Sequence, residues 1–191
     1  MNATVSFHSP HLRRALEVIH ASIAGMANEQ MTWAPHGKWS SACILEHLLL
    51  SYGVTVKASR MVLRQAKPEV RRPTWKERFK VLVAVKIGYV PSGAKAPRMV
   101  VPRGMGPDAV KTSIAAAMIE MDKMFRQCEE KFGNKVEFMV HGFLGPLTIR
   151  QWRKFHLVHT RHHMKQVLAL RRKMARISLA GPDSPVRPAA A

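Results

Sequence analysis

Apolar residues recur at helical spacing along nearly the whole chain. In residues 8–27 they fall at Leu12, Leu16, Ile19 and Ile23, and this spacing of three to four positions is typical of an amphipathic helix. The same spacing predicts four more helices, over residues 40–65, 75–87, 109–132 and 149–176. The pattern therefore indicates an all-α protein.

Polar residues mark where these helices begin. Ser40, Thr74 and Asp108 each precede a predicted helix, and side chains of these types accept hydrogen bonds from the first free N–H groups of a helix. Thr148 with Gln151 three positions later forms a capping-box pattern. We therefore predict N-caps at Ser40, Thr74, Asp108 and Thr148.

The segments between the helices are less regular. Residues 32–37 and 135–147 are predicted as irregular connections, and residues 88–107 contain four prolines and four glycines. Such a long segment is either a lid or binding loop, or a crossover between antiparallel helices. The arrangement predicts one domain over residues 1–176, a four-helix bundle with an extra short helix and this Pro/Gly-rich crossover loop. Residues 177–191 are predicted as a disordered C-terminal tail.

The composition is strongly basic. The chain has 191 residues, 31 Lys or Arg and 12 Asp or Glu, and a formal net charge of +19. Such a charge attracts nucleic acid or an anionic surface whatever the fold. However, the cations are spread along the chain, and no zinc-finger spacing or aromatic RNA-binding motif accompanies them. Binding to an acidic partner is therefore kept as an alternative function.

Several other features bear on location. No apolar run approaches the ~18–20 residues that a membrane span needs, and residues 1–10 lack the basic and apolar stretches of a secretory signal. Cys43 and Cys128 are too few for a disulfide framework. We therefore expect a protein of the reducing cytoplasm with no membrane span.

Histidines cluster in the last predicted helix, which holds four of the ten within eight residues. An advance of about 100° per residue places two of them, His159 and His163, on one narrow stripe with Trp152, Gln166 and Leu170. This stripe faces the predicted interior. Two inward imidazoles at i and i+4 can bind one metal ion, or they can be hydrogen-bonded core residues.

A third histidine faces inward from the second predicted helix. His47 shares the stripe of Cys43, Ile44 and Val54. It is either a core histidine that bonds a backbone carbonyl or a third metal ligand. Its neighbour Glu46 either supports a site histidine as a carboxylate partner or, as its sideways projection favours, is exposed to solvent.

These motifs resemble the DinB/YfiT-like family of metal-binding four-helix proteins. The resemblance rests on Trp39, on Glu46-His47-Leu48, and on His159-x-x-x-His163-x-x-Gln166, with further similarity over residues 142–159 to an uncharacterised branch of that superfamily. It implies that His47, His159 and His163 are the three metal ligands. Lys165 stands where many relatives have glycine, so the helix surface beside the site differs from theirs.

The resemblance also implies a function. Three imidazoles leave a divalent ion with an open coordination position; zinc and nickel are the favoured metals, and iron and manganese are also compatible. Relatives suggest a metal-dependent thiol S-transferase or hydrolase, acting on an acidic low-molecular-weight thiol or another anion. The alternative is a non-catalytic basic helical protein that binds nucleic acid or an anionic surface. A homodimer through helix faces is compatible with either function.

Two further residues are expected to support the ligands. Gln166 lies one turn after His163 and can bond a ligand ring or a bound water, or it is simply a surface amide. His156 lies on the flank of the stripe and either moves protons or packs against Trp152.

Overall fold

Six α-helices and one antiparallel hairpin form the described part of the chain, which is residues 6–88 and 96–180 of a computed structural model. The all-α class expected from the periodicity is confirmed, with a small sheet in addition. The elements are α1 (Pro10–Ile23), α2 (Asn28–Thr32), α3 (Ser41–Leu63), α4 (Trp75–Val81), which continues as a π-helical turn (Leu82–Ile87), a 3-10 turn (Arg98–Val100), α5 (Pro107–Phe132), β1 (Glu137–His141), β2 (Gly145–Thr148) and α6 (Ile149–Ala180).

The four long helices bury their apolar stripes in one core. Helix α3 packs along α5 and α1 packs along α6, and α3 also contacts α6. Burying a Leu, Ile, Phe or Met side chain stabilises the fold by about 1.5–3 kcal/mol. No helix within the described ranges is both long and apolar enough to cross a membrane. The fully buried side chains include Leu12, Ile19, Leu45, Leu48, Tyr52, Ile114, Met118, Met121 and Phe125.

Three of the four predicted helix starts are confirmed. The hydroxyl of Ser40 accepts a hydrogen bond from the third residue of α3. Thr74 and Glu77 form a reciprocal capping box at α4. Thr148 and its partner glutamine form another at α6. These caps satisfy backbone N–H groups at the starts of α3, α4 and α6.

The predicted N-cap at Asp108 is wrong. Helix α5 begins at Pro107 after Gly106, so Asp108 lies within the first turn. Proline favours the first helical position because its φ is already helical and it has no N–H to leave unpaired. The carboxylate of Asp108 instead accepts a hydrogen bond from Asn28 at 2.7 Å and one from Lys111 at 3.4 Å.

The first predicted helix, over residues 8–27, is too long. Helix α1 ends at Ile23 because Gly25 adopts a left-handed conformation with φ of +69°. The chain then forms the short helix α2, of which only the last residue lies within the irregular connection predicted for residues 32–37. A five-residue helix is too short to show helical periodicity.

The irregular segment predicted for residues 135–147 contains a β-hairpin. Strands β1 and β2 pair with Met139 opposite Leu147 and His141 opposite Gly145. The Nδ1 atom of His141 accepts hydrogen bonds from the backbone N–H groups of the next turn, at 3.1 and 3.2 Å. A side chain at Gly145, where φ is +79°, would collide with the carboxyl group of Glu77. Strands of five and four residues were too short to be recognised from alternation alone.

The predicted loop and the predicted tail are only partly described. Within residues 88–107 the chain forms the 3-10 turn before α5, and residues 89–95 lie outside the described ranges. Helix α6 runs to Ala180, beyond the predicted end at residue 176. Residues 177–180, predicted as part of a disordered tail, are therefore helical, and the first glycine and proline after the helix are Gly181 and Pro182. Residues 181–191 of the predicted tail also lie outside the described ranges.

Candidate metal centre

Three histidine rings from two helices meet at one point in the interior. Helix α3 presents His47, and α6 presents His159 and His163 on successive turns. The Nε2 atom of His159 lies 3.4 Å from Nε2 of His47 and 3.0 Å from Nε2 of His163. One ligand atom from each ring lies within 4.8 Å of the other two. The convergence expected from the sequence is therefore present.

Two of these separations, 3.4 and 3.0 Å, are close to those between ligands on a single ion. Metal–nitrogen bonds of 2.0–2.1 Å at a tetrahedral centre place two ligand nitrogens about 3.3 Å apart. His47 and His163 are buried, whereas His159 is half-buried.

A backbone carbonyl orients the His47 ring. The Nδ1 atom of His47 lies 2.8 Å from the carbonyl oxygen of Val100, at the end of the 3-10 turn. Because a carbonyl only accepts, Nδ1 must donate and so carries the hydrogen. The neutral ring then has its lone pair on Nε2, which faces the other two histidines.

Gln166 orients the His163 ring in the same way. Its amide oxygen lies 2.9 Å from Nδ1 of His163, and its amide nitrogen lies 3.3 Å from Nε2 of His162. This pairing lets the amide accept from His163 and donate to His162, so the lone pair of His163 also sits on Nε2. The contact expected between Gln166 and a ring of the cluster is present.

Burial keeps the three rings neutral. It lowers the pKa of His47, although the bond to Val100 partly opposes this effect. Burial likewise lowers the pKa of His163 to about 4, against the opposing bond to Gln166. Burial, and then the proximity of His163 and His47, holds the pKa of His159 well below its ordinary value. Neutral imidazole is the form that coordinates a metal.

Two aromatic rings pack against the cluster. The Trp39 ring lies 5.2 Å from that of His47, centroid to centroid. The Phe155 ring stacks on that of His159 at 5.3 Å with only 14° between the planes. These contacts restrict the histidine rotamers and make the surroundings of the site apolar.

The prediction that Glu46 is exposed is wrong, because its side chain is only 2% accessible. Its carboxylate accepts hydrogen bonds from the backbone N–H groups of Arg103, Gly104 and Met105 at 2.8–2.9 Å. Burial alone would raise the pKa of Glu46, but these three hydrogen bonds lower it below its ordinary value. The helical pattern around Glu46 contains no signal for this contact, since the donors lie more than fifty positions away. Glu46 and His47 thus hold residues 100–105 against α3.

His156 is buried beside the cluster but is not part of it. Its ring stacks on Trp152 with centroids 5.7 Å apart, and its Nε2 atom lies 3.2 Å from the hydroxyl of Thr55. Burial, with a smaller contribution from nearby His141, lowers its pKa to about 3. Of the two interpretations offered for His156, its contacts correspond to packing against Trp152.

The sequence model of one family, described as "Protein of unknown function (DUF1569)", matches residues 7–169. The match contains all three clustered histidines and Gln166. No curated protein and no solved structure matches the chain significantly. The family description assigns no activity, so the function must be argued from the site.

Proposed function

Because the chain belongs to this family of unknown function, we propose from its own geometry that His47, His159 and His163 bind a divalent metal ion. The ion is proposed to keep at least one coordination position for a water or a substrate. Zinc and nickel are the favoured metals because neutral imidazoles suit both; iron and manganese are also compatible.

The observation that carries this proposal is the direction of the ring lone pairs. The outer nitrogens of His47 and His163 both donate to oxygen atoms. Both rings therefore direct an Nε2 lone pair at Nε2 of His159. A single hydrogen on Nε2 of His159 can form a good hydrogen bond with only one of these two lone pairs. The other buried lone pair is left without a donor, which costs free energy. A cation at the centre would bind the lone pairs of all three ring nitrogens.

We further propose that the fold is a four-helix bundle of the DinB/YfiT type. The support is the placement of the ligands, with one histidine on α3 and an i, i+4 pair on α6. The pairwise packing of α1 with α6 and of α3 with α5 also supports it.

The proposed activity is transfer or hydrolysis with a nucleophile activated at the metal, of which a thiol S-transferase is the type that the resemblance favours. A divalent ion at this site would lower the pKa of a bound water or thiol toward neutrality. Glu46 is not available as a general base, because both carboxylate oxygens already accept backbone hydrogen bonds. A nucleophile that the metal itself ionises needs no such base. The net charge of +19 favours an anionic substrate such as an acidic thiol.

Metal analysis of untagged protein tests the binding step. We expect about one zinc or nickel ion per chain, and a loss of at least about tenfold in zinc affinity for His159→Ala, because two imidazoles bind far more weakly than three. His36→Ala is the matched control, since that histidine is exposed and outside the cluster. Equal zinc affinity in wild type and His159→Ala would reject the site.

A second assay tests the activity. Zinc-loaded protein is screened for thiol conjugation and for ester hydrolysis with a set of leaving groups. We expect turnover in one of the two screens that is absent from His159→Ala and retained in His36→Ala. Turnover that is the same in all three proteins would reject metal-dependent catalysis.

A further inference from the structure

The outward face of α4 carries three large exposed apolar side chains. Trp75, Phe79 and Leu82 are 74%, 63% and 42% accessible. At about 100° per residue they lie within an arc of about 60° on the helix surface. Ile87 at the end of the π-helical turn is 71% accessible. We call Trp75, Phe79 and Leu82 the α4 apolar stripe; Ile87 lies outside this arc in the same projection.

Basic residues flank this stripe on both sides. The same helical projection places Arg78 on one side, and Lys76 and Lys80 on the other. Residues 71–88 hold six Lys or Arg and a single acidic residue, Glu77, and so have a net charge of +5. Glu77 is already bound by Arg71. The outward surface around the stripe is therefore strongly cationic.

The helix is held firmly by its opposite face. Val81, Ala84 and Val85 are buried in the core, and Glu77 lies against the hairpin at Gly145. The hairpin also contributes Phe143, an exposed ring with the Lys80 ammonium 4.5 Å from its centroid. The apolar stripe and its basic flanks are thus already formed in the free protein.

We propose that the α4 apolar stripe, with its basic flanks and Phe143, binds the surface of an anionic phospholipid membrane. A helix with Trp, Phe and Leu on one face and Lys or Arg on either side lies in the plane of a membrane interface. There the apolar rings enter the boundary of the acyl chains while the cations contact lipid phosphates. Charge complementarity identifies the lipid as anionic.

The same features argue against two other binding partners for this surface, a second copy of the chain and nucleic acid. In a symmetric dimer the same patch is used on both copies, so the basic flanks of the two copies would be brought together. Nucleic acid would satisfy the cations but would leave the aliphatic side chains of Leu82 and Ile87 without apolar partners. A membrane interface satisfies both the charges and the apolar stripe. The surface includes none of the clustered histidines, so this proposal stands independently of metal binding.

Vesicle cosedimentation of the full chain tests the proposal. The probes are phosphatidylcholine vesicles with and without a minority of phosphatidylglycerol, at about 0.15 M salt, where charges more than about 8 Å apart are screened. We expect binding at least about tenfold tighter to the anionic vesicles, with a blue shift of tryptophan emission as Trp75 enters the interface. Equal binding to both kinds of vesicle, or binding to neither, would overturn the proposal.

Two variants separate the apolar and basic contributions. Phe79→Ser/Leu82→Ser and Lys76→Gln/Lys80→Gln are each expected to weaken anionic-vesicle binding by about tenfold or more. Met61→Ser is the matched control, because Met61 is 60% accessible on α3, and it should bind like wild type. Circular dichroism establishes that each variant is folded, as expected for exposed positions. If only the charge variant loses binding, the apolar stripe is not inserted and the proposal fails.

Two further measurements test the two alternative partners, nucleic acid and a second copy of the chain. Wild-type protein is titrated with a generic duplex oligonucleotide, and its mass is measured by light scattering. We expect weaker binding to the oligonucleotide than to the anionic vesicles, and an unchanged mass for Phe79→Ser/Leu82→Ser. Preference for the oligonucleotide, or a wild-type dimer that this variant dissociates, would assign the surface to nucleic acid or to a second copy.

Discussion

At the residue scale, the key property of the cluster is which nitrogen of each ring carries the hydrogen. His47 and His163 reach the same tautomer through different acceptors, a backbone carbonyl and a side-chain amide. Such outer hydrogen bonds fix ring direction and increase ligand basicity. The acceptor at His163 is the easier one to change because Gln166 is exposed on α6.

Replacement of Gln166 tests this role. Gln166→Ala removes the acceptor from His163 and is expected to weaken zinc affinity by about tenfold, the usual effect of losing an outer-shell partner. Gln166→Glu keeps an acceptor oxygen at the same reach and should restore most of the affinity. Competition with a chromophoric chelator measures both values.

Leu168→Ala is the control for Gln166, since Leu168 is an exposed residue of the same helix. It should bind zinc like wild type. Wild-type affinity in Gln166→Ala as well would show that the amide has no part in orienting the ligand.

At the element scale, consecutive residues of α3 bind one distant segment. Glu46 accepts from the backbone at residues 103–105, and His47 donates to the carbonyl of Val100. The 3-10 turn and the segment that follows it are therefore held in place by the same helical turn that supplies a proposed metal ligand. Loss of the carboxylate should affect both the stability of the fold and the orientation of His47.

Substitution of Glu46 tests this coupling. Glu46→Ala leaves three backbone N–H groups without their acceptor and is expected to reduce the free energy of unfolding by about 2–4 kcal/mol. Because Val100 then loses its fixed position, zinc affinity should fall too. Urea unfolding of the metal-free protein and chelator competition measure the two effects separately.

Glu29→Ala serves as the control for Glu46, because Glu29 is exposed. Its free energy of unfolding should stay within about 0.5 kcal/mol of wild type. A loss of stability in Glu46→Ala with unchanged zinc affinity would mean that the segment does not orient His47.

At the scale of the whole molecule, the core contains histidines that must stay neutral. Burial lowers the pKa of His141 to about 4 and that of His156 to about 3. Unfolded histidine has a pKa of about 6.5. Below that value the unfolded chain takes up protons that the folded chain does not, so acidification favours unfolding.

Stability should therefore be complete above about pH 6.5 and decline as the pH falls toward about 4, where folded His141 also begins to protonate. His141→Asn should make this decline shallower, because asparagine does not titrate and its side-chain oxygen can still accept from the hairpin turn. Denaturant unfolding of chelator-treated protein at several pH values gives the slope.

His36→Asn is the matched control for His141, since His36 is exposed. It should reproduce the wild-type slope. A slope in His141→Asn equal to that of wild type would show that His141 is not held neutral by the fold.

Short-range patterns correctly predicted much of this protein. The stripe of α6 that carries His159 and His163 follows from 100° per residue and needs no knowledge of other elements. Gln166 was placed on the same inward stripe, but its side chain is exposed. The caps at Ser40 and Thr74 are equally local. The hairpin and α2 were missed because elements of four or five residues carry too little periodicity, and the cap at Asp108 was misplaced because a proline beside it starts the helix.

The sequence by itself determined the long helices and the faces on which their histidines lie, because both depend on residues three or four positions apart. Only the tertiary structure decided that His47 meets His159, a contact across 112 positions. The same holds for Glu46, which reaches backbone groups at residues 103–105. Contacts of this kind depend on how the helices pack and where the connecting segments run, and no local pattern specifies either.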